Sequence, residues 1–206
     1  MKLYDFPFSP NCRKVRAVAY EVGAPFEAVR VDLLRGDQRA PAHLARNPNG
    51  RVPVLEDGDL VLWESVAIMR YLAAGTALVP TERRAAAEMD RWLAWQLAHL
   101  APAMSKVAFE RVVKQLLKLG PADAAAVEAG AADFAAMTAV LEGALAGKEY
   151  VGGRLSLADF ALAAHYSLAP ACGLSVATFP AVESWLARVL ARDSMKRALA
   201  DAQALA

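Results

Sequence analysis

The sequence predicts an α/β unit followed by an all-helical unit, and three observations carry that expectation. Residues 1–76 mix short strand-like runs with helices and turns. Residues 83–206 are almost continuously helix-like and rich in alanine, the strongest helix former. Between them Gly75-Thr76-Ala77-Leu78-Val79-Pro80-Thr81 interrupts both patterns, and residues 77–82 are taken as a linker. A chain of 206 residues is long enough to bury sizeable cores. With 56% hydrophobic and 22% charged residues, intrinsic disorder is excluded. Lys+Arg 23 against Asp+Glu 22 leaves a formal charge of +1, which gives no electrostatic footprint for nucleic acid or an anionic membrane.

In the first unit, Lys2–Phe6 reads as a strand and Pro10 as the first helical residue, with Ser9 before it as N-cap. The helix runs to about Val22, where Gly23 stops it. Cys12, Val15, Ala19 and Val22 share its apolar face, with Arg13, Lys14 and Arg16 mostly off that face. Phe26–Val31 is a second strand, which makes a parallel βαβ unit. After a polar helix-like stretch comes the turn cluster Asn47-Pro48-Asn49-Gly50. Val52–Glu56 and Leu60–Trp63 around Asp57-Gly58-Asp59 predict a β-hairpin, with Pro53 an unusual residue for a strand interior. Glu64-Ser65 opens an apolar helix to Ala73. The order β-α-β-α-β-β-α is a thioredoxin-like arrangement.

The second unit is expected to be a helical bundle, with helices over 83–99 and around 101–119, 123–146, 156–169 and 180–200. Ser156-Leu157-Ala158-Asp159 spells a capping box. The 23 uncharged residues from Phe160 to Val182 include His165, Pro170 and Gly173, so they read as a buried helix and loop and not as a membrane span. The opening residues MKLYDF have no apolar signal-peptide core, and a cytoplasmic protein is expected.

Three short pieces carry chemistry. In Phe8-Ser9-Pro10-Asn11-Cys12, Ser9 stands where a redox Cys-x-x-Cys would have its first cysteine, so dithiol chemistry is lost. A hydroxyl at a helix N-terminus can instead stabilise the thiolate of a ligand, or it can simply cap the helix. Val52 before Pro53 can offer its backbone to a peptide if the bond is cis, or Pro53 can mark an edge strand. Ser65 at a helix start can receive a carboxylate, or it can be an ordinary cap. Together they describe a site for a short thiol peptide.

Ser9-Pro10-Asn11-Cys12-Arg13-Lys14-Val15, Asn47 through Leu55, Glu64-Ser65 with Ile68 and Tyr71-Leu72, and the Ser156–Asp159 box resemble the cytosolic glutathione S-transferases along the whole chain. The N-terminal motif is of the serine type, phi- or theta-like, as in bacterial members. The resemblance implies glutathione as co-substrate, bound by Ser9, Asn11, Arg39, Arg51, Val52, Pro53, Glu64 and Ser65, with Ser9 the catalytic residue that hydrogen-bonds the sulfur. It places a thioredoxin-like glutathione-binding domain over 1–76 and a helical domain carrying the electrophile site over 83–206. Phe8, Met104, Phe109 and Tyr166 are its candidate electrophile contacts, each with core packing as an equal alternative. It also implies a homodimer. Gln38 stands where some relatives have histidine. A tyrosine-type mechanism is rejected, because Asp5 holds the position and Tyr4 faces the other way.

The mechanism so implied is conjugation of the glutathione thiolate to a small hydrophobic electrophile. Within the same fold, Asn11 keeps disulfide or peroxide reduction open, and a non-catalytic binding module is the remaining alternative. Cys12 is expected to pack in the first helix, with a mixed disulfide as its other reading, and Cys172 to pack in the second unit. His43, His99 and His165 are far apart in sequence, so no metal site is expected. Ser9 lacks a nucleophile-elbow sequence, so a serine hydrolase is not expected.

Overall fold

The structure, a computed structural model, describes residues 1–203. Residues 204–206, the end of the predicted helical domain, lie outside the described residues. Contacts divide the chain into two units. One comprises Met1–Val79 together with the described residues from Ala191 onward; the other is Pro80–Leu190.

The first unit is built on a four-stranded sheet in the order β2-β1-β3-β4. β1 (Lys2–Asp5) pairs in parallel with β2 (Glu27–Arg30) and antiparallel with β3 (Val54–Asp57), which pairs antiparallel with β4 (Leu60–Trp63). The parallel pair needs a crossover, and α1 (Pro10–Glu21) supplies it. The polar stretch becomes a single 3₁₀ turn at Asp37–Arg39 and the short α2 (Pro41–Leu44). Pro53 causes no conflict in the hairpin, because the ladder begins one residue later, at Val54. The helix α3 (Ser65–Leu72) follows β4 directly.

Two expectations about α1 and the C-terminus are corrected here. The predicted helix over 180–200 is two helices, α9 (Pro180–Leu190) and α10 (Asp193–Gln203). The break belongs to the first unit, where Glu21 receives Arg192 and Ser194 and α10 packs along α1. Arg13, Lys14 and Arg16 are consequently buried, because α1 meets both α3 and α10. Arg16 forms an ion pair with Asp5, which is fully buried, and another with Asp201 at 2.7 Å. Tyr20 donates to the same Asp201 carboxylate at 2.6 Å.

The second unit contains α4 (Arg83–Trp95), α5 (Ala101–Ala108), α6 (Lys114–Leu116), α7 (Ala124–Leu145), α8 (Leu157–Tyr166) and α9. Two π-helical turns, Gln96–Leu100 and Phe109–Val113, join α4 to α5 and α5 to α6. α7 is long and apolar enough to cross a membrane by length and composition. Its buried residues Val127, Gly130, Phe134, Thr138, Leu141 and Leu145 recur every three or four positions, the pattern of a bundle helix with one face in the core. The uncharged segment after Asp159 is the ten-residue α8 followed by a 3₁₀ turn at Pro170–Cys172, so its helix is too short to span a bilayer.

α8 shows why the capping box was legible. Asp159 accepts the Ser156 N–H at 2.9 Å and the Ser156 hydroxyl at 3.2 Å. The same carboxylate accepts the Val151 N–H at 3.0 Å and the Trp185 indole N–H at 2.9 Å. Burial pushes its pKa up, against the pull of these four donors.

Candidate active site at one end of the sheet

Strand register gathers the three chemical pieces. Tyr4 is opposite Val54, and Val54 is opposite Trp63. The chain therefore leaves β1 toward Ser9, enters β3 from Val52-Pro53 and leaves β4 toward Glu64-Ser65 at the same end of the sheet. β2 runs parallel to β1, so the segment leading to Arg39 starts from that end too.

Ser9 is the N-cap of α1, with φ −69° and ψ 127°, and its side chain makes no capping hydrogen bond. Its own N–H donates to the Phe6 carbonyl at 2.8 Å, which fixes the loop. The hydroxyl thus caps none of the N–H groups of α1, and it sits at the positive end of that 12-residue helix. Cys12 is fully buried, and its sulfur accepts the Phe6 N–H at 3.4 Å. Burial and the nearby Asp5 carboxylate push the Cys12 thiol well up, so it stays protonated. That removes the conditions for a reactive cysteine and leaves the packing reading.

The Val52–Pro53 bond is cis, and Val52 lies outside the β ladder. Two residues that were not singled out in the sequence for this role shape the approach to it. His43 Nε2 donates to the Arg51 carbonyl at 3.0 Å, and Asn47 Nδ2 donates to the same oxygen at 2.9 Å. Both side chains are buried. The nitrogen of His43 must be the donor, because a carbonyl only accepts. The Asn47-Pro48-Asn49-Gly50 cluster was the available signal, although it reads as a turn. Gly50 has φ 59°, and a β-carbon there would stand 2.7 Å from Arg39 Nη1 and 3.1 Å from the Gln38 carbonyl oxygen. Arg39 therefore lies against this loop, and Arg51 is exposed on it. Gln38 Oε1 is buried without a hydrogen-bond partner.

At α3 the expected cap moves by one residue. Glu64 is the N-cap, and Ser65 is the first helical residue. Glu64 has φ 73°, a conformation that costs a non-glycine residue about 1–3 kcal/mol and recurs at functional sites. Ser65 is buried, and its hydroxyl donates to Asn11 Oδ1 at 3.4 Å. That bond joins the start of α3 to the start of α1 and turns the Asn11 NH₂ away from Ser65. Lys14 is fully buried on α1. Burial pushes its ammonium down to about 7, against the pull of Glu64.

Tyr4 donates to Glu56 at 2.7 Å, so its hydroxyl is already engaged. Of the apolar candidates, Met104 and Tyr166 lie in the core of the second unit, and the Tyr166 hydroxyl donates to Thr138 at 3.2 Å. Neither presents surface to a substrate. Phe8 and Phe109 are exposed, at 37% and 45%. Cys172 is buried, and its carbonyl accepts from Arg111 at 2.8 Å. Among the described residues, no three His, Cys, Asp or Glu side chains gather as a metal cluster.

One end of a thioredoxin-like sheet thus carries a hydroxyl at its first helix, a cis-proline loop and a second helix start, the arrangement expected from the sequence for a thiol-peptide site. The family model described as "Glutathione S-transferase, N-terminal domain" matches residues 1–74, and "Glutathione S-transferase, C-terminal domain" matches residues 100–193. The chain belongs to the glutathione S-transferase family and is, on that ground, a glutathione transferase. It is 38% identical to glutathione S-transferase 3 of Zea mays over 97% of this chain and 93% of that protein. A solved structure of a possible glutathione S-transferase from Rhodopseudomonas palustris is 38% identical, with TM-score 0.86, covering 94% of this chain and 87% of the other. A structure of a glutathione S-transferase-I bound with lactoylglutathione is 28% identical, with TM-score 0.88, covering 97% of this chain and 98% of the other.

Proposed function

We propose that this protein conjugates glutathione to small hydrophobic electrophiles, with the Ser9 hydroxyl donating to the glutathione sulfur. The observation that carries this reading is the Ser9 side chain itself: an N-cap hydroxyl that makes no capping bond, at a sheet end shared with two other candidate binding pieces. Ser9 need not ionise. By donating to the sulfur it keeps more of it as thiolate. A free thiol has a pKa of about 8.5, and lowering it by two pH units is worth about 2.7 kcal/mol. The thiolate attacks the electrophilic carbon and forms the C–S bond as the leaving group departs with the electron pair.

The remaining residues hold the peptide. The Val52 backbone outside the ladder pairs with the cysteinyl part, and Pro53 fixes its direction. Glu64 takes the γ-glutamyl ammonium, and the N–H groups at the start of α3 with Ser65 take its carboxylate. Arg39 and Arg51 receive the glycyl carboxylate, and Asn11 lies beside the sulfur. Residues 1–76 act as the glutathione-binding part and the helical unit carries the electrophile site. Phe8 and Phe109 are the candidates with surface to offer. The lactoylglutathione bound to the relative supports a glutathione-type ligand. A cytoplasmic homodimer completes the reading. Exposed Leu60, Val61 and Trp63 on β4 and Tyr71 on α3 support an association surface on the first unit.

The test is turnover of an aromatic chloride with glutathione by wild type and Ser9→Ala. A thiol returned to its free pKa falls from about 75% to about 3% thiolate at pH 7, so the variant loses about 25-fold in kcat, with little change in glutathione affinity. Wild-type turnover by the variant contradicts the reading. Wild-type protein that turns over only disulfides or peroxides moves the proposal to reduction.

A further inference from the structure

One loop carbonyl, that of Arg51, takes two side-chain donors. His43 Nε2 donates to it at 3.0 Å and Asn47 Nδ2 at 2.9 Å, so both of its lone pairs are used. The donors come from one closed turn. The His43 carbonyl accepts the Asn47 N–H at 2.9 Å just after α2, and the side chains of both residues return to Arg51. The Asn47 amide is fixed in turn, because its Oδ1 accepts the Asn49 N–H and Asn49 Nδ2, each at 3.0 Å. His43 and Asn47 are only 5% and 3% exposed, so the Arg51 oxygen is gripped from the buried side of the loop.

This grip sets the direction of a different group. Among the described residues the only cis bond is Val52–Pro53, so the Arg51–Val52 peptide is trans. In a trans peptide the C=O and the following N–H share one plane and point opposite ways. Drawing the Arg51 oxygen inward therefore turns the Val52 N–H outward. Val52 precedes the first ladder residue, Val54, and among the described residues no group accepts its N–H. The two side-chain bonds are then the only hydrogen bonds this peptide plane makes among the described residues. We propose that His43 is a positioning residue for the Val52 N–H: with Asn47 it locks the Arg51–Val52 plane, so that the N–H already faces the cysteinyl carbonyl of an arriving glutathione. The inference rests on the reading that Val52 pairs with the cysteinyl backbone, and it adds what aims that pairing. The gain is preorganisation, because a plane free to rotate would have to be ordered at binding. In this role His43 touches neither ligand nor reacting atoms and moves no proton. It donates alike when neutral with its hydrogen on Nε2 and when protonated.

The experiment measures glutathione binding by calorimetry, kcat and KM for glutathione with an aromatic chloride, and amide exchange at Val52 by NMR, in wild type, His43→Leu and His43→Gln. Leucine fills the space without a donor, whereas glutamine brings an amide N–H near the place of Nε2. In wild type the Val52 amide exchanges fast without ligand and is protected by saturating glutathione. His43→Leu weakens glutathione binding and raises KM about fivefold, the worth of one hydrogen bond, with kcat at saturation within about twofold of wild type. His43→Gln restores wild-type binding. Melting temperature is measured for each, and binding well below it, so a role in stability alone would lower melting and leave the dissociation constant unmoved. A His43→Leu dissociation constant equal to wild type overturns the proposal, as does His43→Gln binding as weak as His43→Leu, or a loss confined to kcat. If His43→Leu does not fold, Asn47→Asp decides by the same readings, since its carboxylate keeps the bonds from Asn49 and cannot donate to Arg51. A wild-type Val52 amide that glutathione leaves unprotected removes the Val52 reading itself, while a protected amide with equal affinities removes only the role of His43.

Discussion

Two buried helices, α1 and α8, begin with a serine N-cap and use it in opposite ways. At α8, Ser156 and Asp159 satisfy each other, and the carboxylate also accepts from Val151 and Trp185. Every side-chain atom of that start is committed to structure. At α1, the Ser9 hydroxyl makes no cap bond, and cysteine replaces the acidic residue three positions on. The interiors differ too. All ten residues of α8 are buried, while α1 buries Arg13, Lys14 and Arg16 with its apolar residues. A helix start that folds the protein closes its hydrogen bonds internally. The start proposed to serve a ligand leaves its hydroxyl uncapped and has its loop fixed by the backbone instead, by Ser9 N–H to the Phe6 carbonyl.

The largest effect should come from the closed start. Asp159→Ala leaves four donors in the core without their acceptor and should cost about 3 kcal/mol of stability. Denaturant unfolding measures it, and turnover per folded molecule should be unchanged. The open start should show the reverse. Ser9→Ala should lose about 25-fold in turnover at pH 7 while its unfolding free energy stays within about 0.5 kcal/mol of wild type, because no cap bond is removed. Next in size is Ser156→Ala, which should lose about 1 kcal/mol, the ordinary worth of an N-cap. Equal stability losses for Ser9→Ala and Ser156→Ala would erase the contrast between the two helix starts.

The last prediction is a slope. Burial holds Lys14 down to about 7 against an ordinary value of 10.5. Between those values the unfolded chain binds the extra proton and the folded chain does not. This group therefore makes the protein more stable as pH rises from about 7 toward 10, and its contribution is level below 7. Lys14→Met should flatten that part of the stability-against-pH curve. A variant curve parallel to wild type would show that Lys14 keeps its charge when buried.

The contrast also explains what was legible in the sequence. Ser156-Leu157-Ala158-Asp159 announced itself because both halves of the motif are local. The hairpin and the βαβ crossover were equally local, and the turn cluster and Pro53 marked the loop that the structure shows with a cis bond. The burial of Arg16 was not legible. Its partner Asp201 is 185 residues away, and α10 was read as part of a single helix over 180–200. The cap at α3 was misplaced because Glu64 adopts a positive φ that few non-glycine residues take. His43 and Asn47 were missed because their common acceptor is a backbone carbonyl, which has no sequence signature. Met104 and Tyr166 entered as candidate substrate contacts through the resemblance, with core packing as their other reading, and their burial in the bundle agrees with the packing.

The most direct measurement is a crystal structure of this protein with glutathione bound. The account predicts the sulfur within about 3.5 Å of Ser9 Oγ, and the cysteinyl backbone paired with Val52. A tripeptide whose sulfur is held by a different side chain, with Ser9 Oγ out of hydrogen-bond reach, would contradict it.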